Sequence, residues 1–233
     1  METLNAPLFV SIAFGLTTAL TVYFFYEATR RKTSVLILAA IWLGIQAILA
    51  LKGFYTVTDT IPPRFLLLIA PPLLLIVALF FTDRGKRFMD ALDIRYLTLL
   101  HVVRIPVELV LFALYVQRFV PELMTFEGRN FDIVSGITAP AIYYFVFVKK
   151  QLSQSVLLFW NFLCLLLLFN IVIHAILALP TAFQQLAFDQ PNIGVLYFPF
   201  VFLPACVVPL VLFSHLAAIR RLMNVQTAHI PAV

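Results

Sequence analysis

The chain has 233 residues, of which 63% are hydrophobic and only 12% are charged, and its mean hydropathy is +1.02. A water-soluble domain is usually about 45–50% apolar and about 25% charged, so the composition excludes an ordinary soluble protein and predicts an integral membrane protein. The net charge of +5 comes from basic residues in short stretches between apolar runs. Because these stretches form no continuous basic patch with interleaved aromatic residues, we predict no nucleic-acid partner.

Seven apolar runs are each long enough to cross about 30 Å of hydrocarbon as a helix. None alternates with the period of two that a membrane β-strand requires. We therefore predict an all-α integral membrane protein, a single domain over residues 1–233 that folds as a bundle of seven transmembrane helices. In chain order, the predicted helices cover residues 6–28, 34–54, 64–82, 96–119, 131–149, 154–179 and 194–219.

Basic residues occur in alternate connections between these helices, and they predict the orientation of the chain. They follow the first helix (Arg30, Arg31, Lys32), the third (Arg84, Lys86, Arg87, Arg95), the fifth (Lys149, Lys150) and the seventh (Arg220, Arg221). Positively charged loops stay in the cytoplasm, which places the N-terminus outside and the C-terminus inside. No organelle address is evident, so we predict a multi-pass protein of a bacterial-type plasma (inner) membrane, with membrane lipids as partners.

Prolines interrupt several of the predicted helices. They lie in the third (Pro71, Pro72), the fourth (Pro106), the fifth (Pro140) and the seventh (Pro199, Pro204, Pro209). Each removes a backbone donor and leaves a carbonyl without its usual partner, which bends a helix unless a neighbour repairs the gap. The third and seventh helices are therefore predicted to be bent.

The fourth predicted helix carries charges in the middle of an apolar run. At about 100° per residue, His101, Arg104, Glu108 and Tyr115 fall within an arc roughly 60° wide. A charged side chain at mid-bilayer costs about 2.5–3.5 kcal/mol even on lenient scales, so this stripe is predicted to face the bundle interior or a wet cavity. Arg104 and Glu108 are four residues apart and are predicted to pair within the helix. The pair either locks the bundle, or Arg104 holds an anionic ligand while Glu108 carries a proton or a cation.

Polar residues on other helices extend the predicted ligand or proton path. They are Gln46, Asn170, His174 and Asp132. Two of these have structural alternatives: Asp132 caps the N-terminus of the fifth helix, and His174 with Asn170 forms a hydrogen bond between helices. The loop before Asp132 carries Glu127 and Arg129, which are predicted either to cover the mouth of a cavity or to form a solvated ion pair.

Metal ligands and nucleophiles form no convincing set in the sequence. Cys164 and Cys206 lie inside apolar runs without C-x-x-C spacing, so neither a disulfide nor a zinc knuckle is predicted. His101 and His215 fall at similar predicted depth and are the candidate ligands for haem or zinc, but no further ligands accompany them, so no cofactor is predicted. Because no phosphate-binding glycine loop, nucleophile elbow or H-E-x-x-H motif occurs, no catalytic residue is predicted.

Three functions fit this pattern. The leading hypothesis is the binding or transport of a small anionic or amphipathic solute through a polar cavity inside the bundle. The second is a seven-helix receptor or membrane-anchored partner subunit, whose longest predicted cytoplasmic connection, residues 83–95, contacts another protein. The third is a lipid-modifying enzyme with His101 or His174 as general base, which the absence of a nucleophile makes the least favoured.

Overall fold

The structure, a computed structural model, describes residue 4 and residues 6–227, and in these residues all regular structure is helical. The α-helices are α1 (Leu8–Ala28), α2 (Thr33–Leu51), α3 (Leu66–Phe81), α4 (Asp83–Asp90), α5 (Ile94–Leu100), α6 (Arg104–Val116), α7 (Ile133–Tyr143), α8 (Gln154–Leu177) and α9 (Val208–Thr227). Short 3-10 turns cover His101–Val103, Glu122–Met124 and Gly194–Leu196, and π-helical turns cover Tyr144–Val148 and Leu203–Val207. The predicted all-helical fold is confirmed.

Five helical segments of the described chain are long and apolar enough to cross a membrane. They are Leu8–Ala28, Thr33–Leu51, Ile94–Val116, Gln154–Leu177 and Leu203–Asn224. The bent pair α3 and α4 makes a sixth if it counts as one span, and Ile133–Val148 is apolar but shorter. The α5–α6 and α9 segments are mostly buried, whereas few residues of α2 are buried. The bundle therefore has a central core of α5, α6 and α9, while its count of seven crossings stays a prediction.

The last helix begins later than predicted. Residues 194–219 were expected to be one helix, but regular helical structure starts at Leu203 and α9 continues to Thr227. Two prolines explain the difference. Pro199 lies in the irregular segment before the helix, and Pro204 occupies the first turn, where its missing N–H costs nothing.

Prolines also shape the helices next to the polar residues. Pro106 lacks the N–H that would bond to the carbonyl of Val102 in a regular helix, and the 3-10 turn His101–Val103 lies at that point between α5 and α6. In the same way Pro209 frees the carbonyl of Ala205, which accepts a hydrogen bond of 2.8 Å from Nε1 of Trp42. That bond ties the peripheral helix α2 to the central segment, because the indole N–H takes the place of the missing backbone donor.

Contacts join three of the four basic connections at one end of the bundle, called here the basic end. The backbone N–H of Asp93 donates to the carbonyl of Ala28 at 2.8 Å, and Arg220 pairs with Asp90 at 3.3 Å. Helix α4 also lies at this end, bent by 94° from α3. Gly85 permits this bend, since a Cβ at that position would overlap the backbone of Leu79.

Candidate functional site

A buried polar cluster joins four helices in the middle of the bundle. Arg104, the first residue of α6, places Nη1 3.0 Å from Oδ1 of Asp132 and Nη2 3.1 Å from Nε2 of His215. Nδ1 of His215 lies 2.9 Å from Oδ1 of Asn161, and Nη1 of Arg104 also donates to the carbonyl of Cys164 at 3.4 Å. All four polar side chains are buried. The cluster thus links α6, α8 and α9 to the residue that precedes α7.

Arg104 pairs with Asp132, so the predicted pairing with Glu108 in the same helix is wrong. The reason is the close approach of α6 and α7. A Cβ at Gly136 would lie 2.9 Å from Cγ1 of Ile105 and 3.3 Å from Cβ of Arg104, so only glycine fits there, and Asp132 lies one turn before it. Asp132 holds the N-cap position of α7 but makes no capping bond through its side chain. The predicted capping role is therefore also wrong, because this carboxylate serves the guanidinium.

Glu108 is one turn further along α6 and has a different environment. Its Oε1 accepts a hydrogen bond from Nδ2 of Asn130, while Oε2 is buried without a hydrogen-bond partner. Asn130 is held in turn by the carbonyl of Met124 at 3.0 Å and by the backbone N–H of Asp132 at 3.0 Å. The side chain of Glu108 is only 1% exposed. Within the described chain, Glu108 is thus a buried acceptor that forms no ion pair.

Glu108 lines a partly open space of about 180 Å³, called here the Glu108 cavity. Its walls come from α3, α6, α8 and α9 and are apolar along most of their length. The polar lining residues are Glu108, Asn130, Asp132 and Asn192. Oδ1 of Asn192 is also buried without a hydrogen-bond partner, so two lining residues carry an acceptor oxygen that makes neither a hydrogen bond nor an ion pair. Phe169 lines the cavity and is 44% exposed, so the cavity reaches the outside of the bundle beside α8.

The two candidate histidines lie against each other. The rings of His101 and His215 stack with centroids 3.8 Å apart and an interplanar angle of 15°, and Trp160 packs edge-on against His101. Because the ring faces are in contact, no group lies between them. Both ring nitrogens of His101 are buried without a hydrogen-bond partner. In the part of the chain that the structure describes, no group of three or more His, Cys, Asp or Glu residues is arranged to hold a metal ion.

A family model described as "Domain of unknown function (DUF8737)" matches residues 61–223. The chain belongs to this family. The matched region runs from just before α3 into α9, so the DUF8737 domain contains the polar cluster and Glu108, while α1 and α2 precede it. No curated protein and no solved structure matches the chain.

Two other residues predicted for the path, Gln46 and Tyr115, lie outside the buried polar cluster. Gln46 is buried in α2, before the matched domain, and accepts a hydrogen bond from the hydroxyl of Tyr55. Tyr115 is near the end of α6 and its hydroxyl lies 3.4 Å from Oε2 of Glu122 in the following loop. Neither residue lines the Glu108 cavity. Each of them makes a local hydrogen bond with a residue that follows its helix.

Asn170 and His174 on α8 hold the loop that carries Asn130. Nδ2 of Asn170 donates to the carbonyl of Arg129 at 2.8 Å, and Nδ1 of His174 lies 2.7 Å from the carbonyl of Asn170. The hydrogen bond between helices that was predicted for this pair is instead a bond from Asn170 to the backbone of the loop, and His174 contacts the backbone of its own helix. Glu127 and Arg129 are exposed and form no ion pair with each other. This loop contributes Asn130 and Asp132 to the site, and not the exposed charges of Glu127 and Arg129.

Three asparagines of the site were not singled out by sequence reasoning. Asn161 has a usable signal, since it is a polar side chain in the first half of an otherwise apolar span. Asn130 and Asn192 have none, because they lie in connections where asparagine is common. Their roles depend on which carbonyls and carboxylates the fold brings beside them.

Proposed function

We propose that this DUF8737 protein binds a small amphipathic solute in the Glu108 cavity and carries it across the plasma membrane. The solute presents a hydrogen-bond donor, an ammonium or a hydroxyl group, to the polar end of the cavity. The observation that carries this proposal is the unpartnered Oε2 of the buried Glu108, which lines a cavity with apolar walls. Such sites are largely apolar and orient their ligand with a few polar groups.

The charges around the cavity favour a donor over an anion. The only cation of the cluster, Arg104, is engaged by Asp132, by His215 and by a backbone carbonyl, and it does not line the cavity. The polar groups that do line it are two carboxyl groups and two amides. An anionic ligand would meet the carboxylates without a free counter-charge, which is costly at this depth. The expectation of an anionic solute held by Arg104 is therefore set aside in favour of an amphipathic one.

The volume of the cavity limits the size of the solute. A cavity of about 150 Å³ lined by apolar side chains holds one benzene molecule in a well-studied protein interior. At about 180 Å³, the Glu108 cavity fits one small ring or a short alkyl chain with a single polar group. The solute enters from the lipid side beside Phe169, where the cavity reaches the bundle surface.

Transport follows if Glu108 exchanges the solute for a proton. A buried carboxylate without a counter-ion needs either a proton or a cationic ligand, so binding one displaces the other. The gathering of basic connections at one end of the bundle supports a cytoplasmic basic end. On this proposal the chain crosses the membrane seven times, with the N-terminus outside and the C-terminus in the cytoplasm.

The test measures whether three small molecules stabilise the purified protein. Each of them carries one benzene ring. Benzylamine and benzyl alcohol carry donors, whereas benzoate is an anion of similar size. We expect the first two to raise the Tm of the purified protein and benzoate to leave it unchanged. Glu108→Gln should abolish the shift with benzylamine but keep that with benzyl alcohol, because the amide oxygen still accepts a hydrogen bond.

Glu127→Gln is the matched control, since it removes an exposed carboxylate from the loop beside the site. It should leave all three responses unchanged. A larger shift with benzoate than with benzylamine would contradict the proposal, as would an undiminished benzylamine shift in Glu108→Gln. For transport, liposomes holding the protein and a pH-sensitive dye should report proton movement driven by a benzylamine gradient above the passive background that Glu108→Gln liposomes define.

A further inference from the structure

A second and larger space lies at the basic end of the bundle. This apolar groove has a volume of about 460 Å³ and is formed by α1, α2, α3 and α9. Its lining is apolar except for Ser34 and the indole of Trp42. Leu38 of α2 and Leu75 of α3 line it and are 58% and 50% exposed, so the groove opens sideways between these two helices. Its volume lies in the range of about 300–1,000 Å³ that small-molecule sites occupy.

One end of the apolar groove is positively charged. Phe88 of α4 lines the groove, and Nζ of Lys32 lies 5.3 Å above the centre of its ring. Lys32 pairs with no carboxylate in the described residues. Helix α2 begins at the next residue, Thr33, so its amino end, which carries partial positive charge, lies at the same place.

Two arginines of α4 add to this charge. Arg84 and Arg87 are exposed, and the 94° bend after α3 places their helix at the end of the groove. Neither forms an ion pair with a carboxylate in the residues the structure describes. Other cations nearby are already engaged, since Arg31 lies 3.1 Å from Glu27 and Lys86 lies 3.9 Å from Asp83. Lys32, Arg84 and Arg87 are therefore cations beside the groove end that form no ion pair within the described residues.

We infer that the apolar groove holds an acyl chain of an anionic phospholipid, whose phosphate lies at Lys32, Arg84 and Arg87. The chain of a lipid gains little on leaving bilayer hydrocarbon for an equally apolar groove, so the headgroup decides which lipid binds. A Lys or Arg near the membrane surface attracts anionic lipid by a factor of about five. The site therefore selects anionic over zwitterionic lipid, independently of what the Glu108 cavity binds.

The test is native mass spectrometry of the full chain in detergent, with dioleoyl phosphatidylglycerol or dioleoyl phosphatidylcholine added. These lipids share their acyl chains and differ in headgroup charge. We expect the wild-type chain to bind phosphatidylglycerol more tightly. Lys32→Gln should reduce this preference about fivefold. Lys150→Gln, which removes an exposed lysine from another basic connection, should leave it unchanged.

A second pair of variants tests the groove itself. Ala39 lines the groove and Ala40 is its exposed neighbour on α2, so Ala39→Phe fills the space and Ala40→Phe does not. Ala39→Phe should reduce the binding of both lipids, whereas Ala40→Phe should leave the binding of both unchanged. Equal affinity of the wild-type chain for the two lipids would overturn the inference. Equal losses of the preference for phosphatidylglycerol in Lys32→Gln and Lys150→Gln would also overturn it. So would a lipid-free dimer of the wild-type chain that dissociates in the Ala39→Phe variant.

Discussion

The Glu108 cavity and the apolar groove differ in where their charges lie. In the Glu108 cavity the carboxyl groups are buried, and protein groups pair with part of them: Asn130 donates to one oxygen of Glu108, and Arg104 pairs with Asp132, while Oε2 of Glu108 has no partner. In the groove the lining is apolar and the cations stand at the end, outside the space itself. Buried charge demands a network, whereas charge at the edge of a membrane keeps its water and needs none.

The two spaces share a wall, and that wall is irregular. Pro204 lines the Glu108 cavity, Ala205 and Cys206 line the groove, and Pro209 lines both. The π-helical turn Leu203–Val207 therefore separates the two spaces. Such turns occur frequently at functional sites, since they turn neighbouring side chains to different faces of one helix. Variants on the two sides of this wall therefore test the charged Glu108 cavity and the apolar groove separately.

The largest effect should follow from breaking the buried ion pair. Arg104→Leu strands the carboxylate of Asp132 in the bundle, and we expect it to lower the free energy of unfolding by about 3–5 kcal/mol. Arg104→Leu combined with Asp132→Leu removes both charges and should cost less than the single variant. Thermal unfolding in detergent measures the difference, with Arg129→Leu as an exposed control. Equal Tm values for the single and double variants would show that the pair is uncoupled.

A smaller effect is expected on the side of the groove. Gly85→Ala forces a Cβ into the backbone of Leu79 and opens the bend between α3 and α4, at a cost of about 1–3 kcal/mol. Gly15→Ala is the control, because a Cβ on α1 meets nothing within 4 Å there and helix propensity favours alanine by about 1 kcal/mol. Gly85→Ala should also weaken the preference for phosphatidylglycerol, because α4 carries two of the cations. Equal stability of the two variants would contradict a tight bend at Gly85.

The shared wall gives a third comparison. Trp42→Phe removes the donor to the carbonyl of Ala205, and hydrogen bonds between membrane helices are worth about 0.6–1.7 kcal/mol. In a Pro209→Ala background the backbone regains an N–H for that carbonyl, so the same substitution should cost less. A double-mutant cycle of unfolding free energies measures the coupling. Additive losses would mean that the indole does not substitute for the backbone donor that proline removes.

The fold was more predictable than the site. Apolar runs of membrane length located the helices before α9 within a few residues, because a helix that crosses hydrocarbon needs a long apolar run. Helix periodicity also placed His101, Arg104 and Glu108 on one buried face. The partner of Arg104 depended instead on Gly136, whose missing side chain lets α7 approach α6 and bring in Asp132. No sequence pattern within one helix predicts such a contact between two helices.

The late start of α9 shows a similar limit. The apolar run from residue 194 has the composition of a span, but the prolines within it decide where the backbone becomes helical. The groove was missed altogether, since its lining is spread over several helices and consists almost wholly of apolar residues. The bend at α4 brings two further cations to the end of this space beside Lys32, and that bend depends on Gly85 rather than on any charge pattern.

The smallest effect concerns an exposed ion pair at the basic end, in contrast to the buried pair of Arg104 and Asp132. Asp93 caps α5 through the backbone N–H of Arg95 at 2.9 Å, and the guanidinium of Arg95 lies 2.6 Å from its Oδ2. The hydrogen bond from Arg95 holds the pKa of Asp93 below its ordinary value. A lowered carboxyl pKa means that the pair stabilises the fold above the ordinary pKa of about 4 and loses this contribution as the pH falls.

Asp93→Asn isolates that contribution, because asparagine keeps the cap but removes the charge. We expect a loss of about 0.2–1 kcal/mol at pH 7 that shrinks as the pH falls below about 4, measured as the difference in Tm between the variant and the wild-type chain. A loss that stays constant over this range would assign the stabilisation to the cap alone. Salt sharpens the comparison with the interior, since 1 M NaCl should remove the effect of Asp93→Asn and leave that of Arg104→Leu unchanged.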